Sequence, residues 1–432
     1  MSILSRFWLV IAISFSFTHL LYAESLVLDG IVLPSSSANG ESAERHFDLL
    51  KVNSGMRLSE LLEKTFIRSP MQSALQSRDA IVSSKQTLAR ALLPASPAVV
   101  MSHQNDALAS GRGEREWLAE MELPVWLPSQ RDKRLKVADA TSSSVLASRG
   151  SLKLQVAGAL RETLWELAMS ENSLVLATNK LEVANQLQRD VEKRFLAGEL
   201  AKTEVMLVQQ ETLRAEQERI RAEAEVMHAR HRYYVLTGLR EIPADFAEQQ
   251  STLHDYQQSP IWLEAQSKLD LAQTERELAQ VESRENLQVS FNMRSIRGGF
   301  DTLFNESVGV KLRIPLGGEQ RAAPIKAAAE QNLGNALTEQ ATLQYALETA
   351  MHEAEHSLEV SRAELILADK QHKIAAESAR LADKAFKLGE TDLVSLLRVQ
   401  ARAFESERVF TNQKIKVQRD IARYNQTVGV LP

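Results

Sequence analysis

The 432-residue chain contains no cysteine. That excludes a disulfide framework, a thiol nucleophile and a lipid-modified N-terminal cysteine, so stability has to come from size and packing. Aromatic residues make up only 6% of the chain, while Ala, Leu, Glu, Gln and Arg are abundant, a composition that points to long helices. There is no basic excess: the formal charge is −5, or about −6 without the first 23 residues, which hold one charge, Arg6. Nucleic acid is therefore not expected as a partner. Beyond the N-terminus no run of about 18 apolar residues occurs, so no helix is expected to cross a bilayer. Nor is there a P-loop, a paired-glycine fingerprint or a cysteine nucleophile, which leaves no visible means of spending ATP or of covalent catalysis. The expectation is a protein that is not an enzyme and has no cofactor.

Met1 to Ala23 has the apolar run Phe7 to Phe17 after Arg6 and closes on Leu-Tyr-Ala, the pattern of a secretory signal cleaved after Ala23. Residues 24–56 are rich in Ser, Gly and Pro in their middle part and read as an extended leader.

What the chain does have is an internal repeat. Phe195 to Gln209, FLAGELAKTEVMLVQ, returns as Phe386 to Gln400, FKLGETDLVSLLRVQ. Gly198 and Gly389 lie 191 residues apart, as do Tyr233 and Tyr424, and Gly238 and Gly429. Upstream, Leu174, Ala177, Leu181, Ala184, Gln188, Val191 and Phe195 step by 3 and 4, and so do Leu365, Ala368, His372, Ala375, Ala379, Ala382 and Phe386. Both are coiled-coil seams in one register. Each ends at a glycine with another apolar helical run close behind, which predicts a tight helix-to-helix turn with the glycine in the left-handed region. A period this long means two copies of a large module.

The first module, 57–238, reads as a helix from Arg57 to about Leu93, two extended segments, a helix from Gln130 to Leu196 and another to Leu236. A linker, 239–258, contains Pro243, and the second module, 259–432, repeats the order. Gln130 to Leu196 would span ~100 Å at about 1.5 Å per residue. Stacked end to end, the two shorter helices match that rod, so each module is a coiled-coil pair with a break half way. The extended segments alternate: Trp117, Ala119, Met121 and Leu123; Leu287, Val289, Phe291 and Met293; Val308, Val310, Leu312 and Ile314, with a weaker mate at Ala98 to His103. They have the length of tilted transmembrane strands, roughly 9–11 residues. Four strands cannot close a membrane barrel, and open edges are not tolerated in lipid, so several chains must share one barrel, two giving 8 strands and three giving 12.

With two modules of helix, strand pair, long helix, glycine turn and helix, the chain resembles the TolC-like outer-membrane efflux proteins. Leu312 to Ala329, LRIPLGGEQRAAPIKAAA, and the two glycine turns carry the likeness. Within that family, Leu123 to Trp126 before Gln130-Arg131, and the run RETLWE at 161–166, resemble the outer-membrane partners of heavy-metal pumps. Those relatives are sometimes lipidated, which this cysteine-free chain excludes. The resemblance implies a mainly α fold with a small transmembrane β part: a homotrimer with a 12-stranded barrel among outer-membrane lipids, continued by a 12-helix periplasmic tunnel. It implies docking onto a periplasmic adaptor and an energised inner-membrane pump. Gly198, Glu199, Gly389 and Glu390 are then the adaptor-docking tips, and Thr203, Glu204, Thr391 and Asp392 the pore constriction, with Ser395 and Arg398 departing from the family pattern a turn further on. A coiled-coil scaffold or adaptor without a barrel is the alternative.

His352 to His356, H-E-A-E-H, matches the zinc-protease pattern of two histidines at i and i+4 with a glutamate. A third protein ligand would be needed, and nothing in the sequence singles one out. On a long rod such a pair reads as a polar helix face, as do His228 and His231; a surface metal contact, which needs only the i, i+4 geometry, is the remaining alternative.

Overall fold

The computed structural model describes residues 49–316 and 318–432. The expected signal segment and the leader up to residue 48 lie outside the described residues. In chain order the elements are β1 Lys51–Asn53, α1 Leu58–Arg68, α2 Met71–Arg90, β2 Ala98–Asn105, β3 Arg115–Val125, α3 Gln130–Leu196, α4 Lys202–Thr237, β4 Glu241–Pro243, α5 Pro260–Glu282, β5 Leu287–Arg297, β6 Asn305–Arg313, α6 Glu319–Lys387 and α7 Leu393–Thr427.

Sequence dominated by strong helix formers makes α3 67 residues long and α6 69, and α6 runs on through Pro324 in its second turn. The long helix α3 packs on α2 and α4, which share its length between them, and on α5 and α7; α6 packs on α5 and α7. Where α1, α3 and α4 converge, Leu61, Leu62, Leu160, Leu164, Leu167 and Tyr233 form a core cluster. Each such leucine contributes about 2 kcal/mol by leaving water. A second cluster, Leu358, Val417, Ile421, Tyr424 and Val428, holds α6 to α7.

Two sequence boundaries are corrected. The stretch Arg57 to Leu93 is two helices, because Pro70 has no N–H to donate and forces Ser69 to an extended ψ of 135°. Part of the leader is also ordered: Lys51–Asn53 pairs in parallel with Glu241–Pro243, so the linker supplies the partner strand. Backbone pairing of this kind leaves no side-chain signature.

The other sheet is antiparallel in the order β2-β3-β5-β6. Its register sets Met121 opposite Phe291 and Phe291 opposite Val310, and Ala119 opposite Met293 and Met293 opposite Val308. Val99, Met101, Trp117, Met121, Phe291, Met293, Val308 and Val310 are all exposed, a continuous apolar face. On the other face Arg294 grips Glu116 through two hydrogen bonds of 2.6 and 2.8 Å, and Lys311 pairs with Glu120 at 3.3 Å. The outer edges, β2 and β6, have no strand partner among the described residues.

Candidate functional site at the paired glycine turns

At the end of α3 and α6 remote from the sheet, the chain reverses twice in the same way. Gly198 has φ +83° and Gly389 φ +77°, the left-handed region that favours glycine. Around the first turn Gly198 N–H donates to Phe195 O at 2.9 Å and Glu199 N–H to Arg194 O at 2.9 Å; around the second, Gly389 donates to Phe386 O at 3.1 Å and Glu390 to Ala385 O at 2.9 Å. These bonds satisfy carbonyls that the helix ends would leave orphaned. A Cβ on either glycine would meet nothing within 4 Å, so both turns present bare backbone to open space.

The structure brings the two turns side by side. Leu187, Val191 and Val208 of the first hairpin and Phe386, Leu393 and Leu396 of the second bury each other. Arg194, near the end of α3, donates to Phe386 O at 3.0 Å and Lys387 O at 2.9 Å, the last carbonyls of α6, and lies 4.9 Å above the Phe386 ring. A guanidinium there offsets the negative end of the α6 dipole. In the sequence the only signal for Arg194 is a basic residue in a last helical turn.

The four residues expected at a constriction follow directly, and two of them start the return helices. Glu204 accepts from Ala201 N–H at 3.0 Å. Asp392 accepts from Ser395 N–H and from Ser395 Oγ–H, both at 2.8 Å, and these donors hold its carboxyl below the usual carboxylate range. Thr203 is exposed and Thr391 half-buried. Glu204 and Asp392 therefore have structural work as helix caps whatever else they do.

A matched pair of glycines marks the other ends of α4 and α7, and there the surroundings are crowded. Gly238 has φ +71° and Gly429 φ +88°. A Cβ on Gly238 would lie 2.6 Å from the Arg68 guanidinium, and one on Gly429 2.5 Å from Ser259 Cα. Tyr233 donates its hydroxyl to Glu241 O at 2.6 Å, and Tyr424 to Leu253 O at 2.7 Å. Burial pushes the Tyr233 hydroxyl up to about 12. Between them Arg161, buried on α3, makes two bonds of 2.7 and 2.6 Å to Glu248 of the linker, one of 2.6 Å to Gln426 and one of 2.9 Å to Val430 O. This clasp ties the RETLWE run, the linker and the end of α7 together.

His352 and His356 are exposed on α6 with their rings parallel and 6.4 Å apart. Among the described residues of one chain no three metal-ligating side chains converge, there or elsewhere.

No protein-family model matches the sequence, and no curated protein sequence matches it. Solved structures do. The outer membrane protein VceC from Vibrio cholerae superposes with a TM-score of 0.71 at 14% identity, over 86% of this chain and 96% of that one. CusC, described in terms of folding and transmembrane channel formation, gives 0.71 at 12% identity over 88% and 93%. The open state of the Neisseria gonorrhoeae MtrE outer membrane channel gives 0.67 at 14% identity over 91% and 94%. Equal TM-scores for VceC and CusC do not single out a branch of the family. The fold of this protein is that of the TolC-like outer-membrane channels.

Proposed function

We propose that the protein is a passive exit duct in the outer membrane, the outermost part of a tripartite efflux or secretion system. Three copies share a 12-stranded barrel, and their helices continue it as a 12-helix tunnel in the periplasm. Each chain contributes two tandem modules, 57–238 and 259–432, joined by 239–258. The observation that carries this reading is the four-stranded sheet. Its apolar face is exposed, its ion-paired face is the kind that lines an aqueous lumen, and neither edge has a strand partner among the described residues. A scaffold without a barrel would leave that apolar face in water, which counts against the alternative.

In this reading the turns at Gly198-Glu199 and Gly389-Glu390 are the docking rim for a periplasmic adaptor, itself coupled to an inner-membrane pump. Support comes from the open space in front of both glycines, which lets another helical hairpin reach the backbone. Three chains present six such tips. Thr203, Glu204, Thr391 and Asp392 line the narrowest part of the tunnel just inside them, where a ring of carboxylates attracts cations.

Replacing both tip glycines by leucine tests the reading. Wild type and variant should each have the mass of three chains by native mass spectrometry and show heat-modifiable migration on unboiled gels. The variant alone should lose adaptor crosslinking and export. A monomer or dimer would overturn the duct, and a variant trimer that exports normally would move docking elsewhere.

A further inference from the structure

The contacts of α3 and α6 differ in one respect. α3 packs on the helices of its own module, α1, α2 and α4, and on two of the next, α5 and α7. α6 packs on its own α5 and α7, and the next module is missing. In the closed trimer proposed above, on which this inference rests, the missing neighbours are α2 and α4 of a second copy.

The repeat says which side chains then meet. α3 and α6 run unbroken into the matched glycines Gly198 and Gly389, and α4 and α7 run unbroken from them to Gly238 and Gly429, so both pairs share one offset of 191 residues. Within the chain, Arg161, Glu162 and Trp165 of α3 line one cleft with Arg419, Ala422 and Arg423 of α7. Facing side chains touch there: Glu162 is gripped by Arg419 and, at 3.3 Å, by Arg423. Moving each position by 191 gives His352, Glu353 and His356 on α6 and His228, His231 and Arg232 on α4. Four of the nine histidines in the chain thus fall into one cleft between neighbouring copies.

We propose that this cleft binds a divalent transition ion of the zinc class. His352 and His356, at i and i+4, present two imidazoles from one helix face, and His228 and His231, at i and i+3, two from the facing helix. Imidazole suits zinc, copper and nickel, and four nitrogens from two rigid helices fit tetrahedral coordination. Beside it Glu353 and Arg232 stand at the positions equivalent to Glu162 and Arg423, and within one chain Arg232 pairs with Glu166 at 3.3 Å. A single chain carries the two halves of the site on opposite edges, so neither half shows as a metal group alone. The bound ion fastens one copy to the next, and the H-E-A-E-H motif is half of an intermolecular ligand set, not a protease signature.

The full-length protein in detergent, titrated with zinc chloride and weighed by native mass spectrometry, tests this. One zinc per interface is expected in the wild-type trimer, and none in His352→Ala/His356→Ala or in His228→Ala/His231→Ala, both still trimeric. In this cysteine-free chain, Glu353→Cys with Arg232→Cys should also give covalent trimers on oxidation, reporting the interface without metal. A trimer that crosslinks but takes up no zinc overturns the metal site alone. A histidine variant that keeps the wild-type zinc count overturns the ligand set. A protein that is not a trimer and does not crosslink overturns the trimeric reading and this site with it.

Discussion

The tip glycines and the glycines that end α4 and α7 give the same signal in the sequence and opposite ones in the structure. All four hold a left-handed φ at the end of a helix. In front of Gly198 and Gly389 lies open space; against Gly238 and Gly429 lie Arg68 and Ser259. A helix end needs glycine only for its backbone, whereas a close approach needs it for the absent Cβ as well. One pair is free to serve an outside partner, and the other is consumed by the interior of the chain. The clasp around Arg161 belongs with the crowded pair, and the capping carboxylates Glu204 and Asp392 with the open one.

The difference can be broken most forcefully at the clasp. Arg161→Ala leaves the largely buried Glu248 with the Asn425 amide but no cation and should cost about 3–5 kcal/mol. Thermal or denaturant unfolding would measure it, and Glu248→Gln in the same chain should recover part of the loss. If Arg161→Ala is silent, the clasp does not hold the linker.

The glycines themselves come next. Gly429→Ala combines left-handed strain with a collision against the Ser259 backbone and should cost about 3 kcal/mol. Gly198→Ala meets only the strain, about 1 kcal/mol. Equal destabilisation by the two substitutions would erase the distinction between open and crowded glycines.

The smallest stability effect belongs to Asp392. Its folded carboxyl titrates below the ordinary range because Ser395 donates to it, so its contribution is present above the unfolded value and lost as pH falls through the folded one. Asp392→Ala should speed amide exchange in the first turn of α7 at neutral pH and make no difference in strong acid. In single-channel recordings Asp392→Ala and Glu204→Ala should each give a wider or less cation-selective pore. Unchanged conductance and selectivity in both would place the constriction elsewhere.

Much of this architecture was legible because helices and strands write their periods into the chain. The seam from Leu174 to Phe195 located α3, whose observed ends at Gln130 and Leu196 are those read from the sequence. The alternation of Leu287 to Met293 and Val308 to Ile314 located β5 and β6. Ser69-Pro70 and Ser259-Pro260 mark equivalent helix starts in the sequence, and α2 and α5 do begin there. Arg194 and Arg161 were a different case. Each acts on groups far away in the chain, Phe386 and Glu248, and no local pattern marks a side chain for a distant carbonyl or carboxylate.

By itself, then, the sequence determined the lengths of the rods, the sites of reversal and the two-faced strands, since these follow from neighbours within a few residues along the chain. Only the tertiary structure decided which glycines face open space and which are pressed against other backbone, that β1 borrows its partner from the linker, and that α6 lacks the neighbours α3 has. Those are contacts between segments nearly two hundred residues apart, and the chain records them only once it has folded.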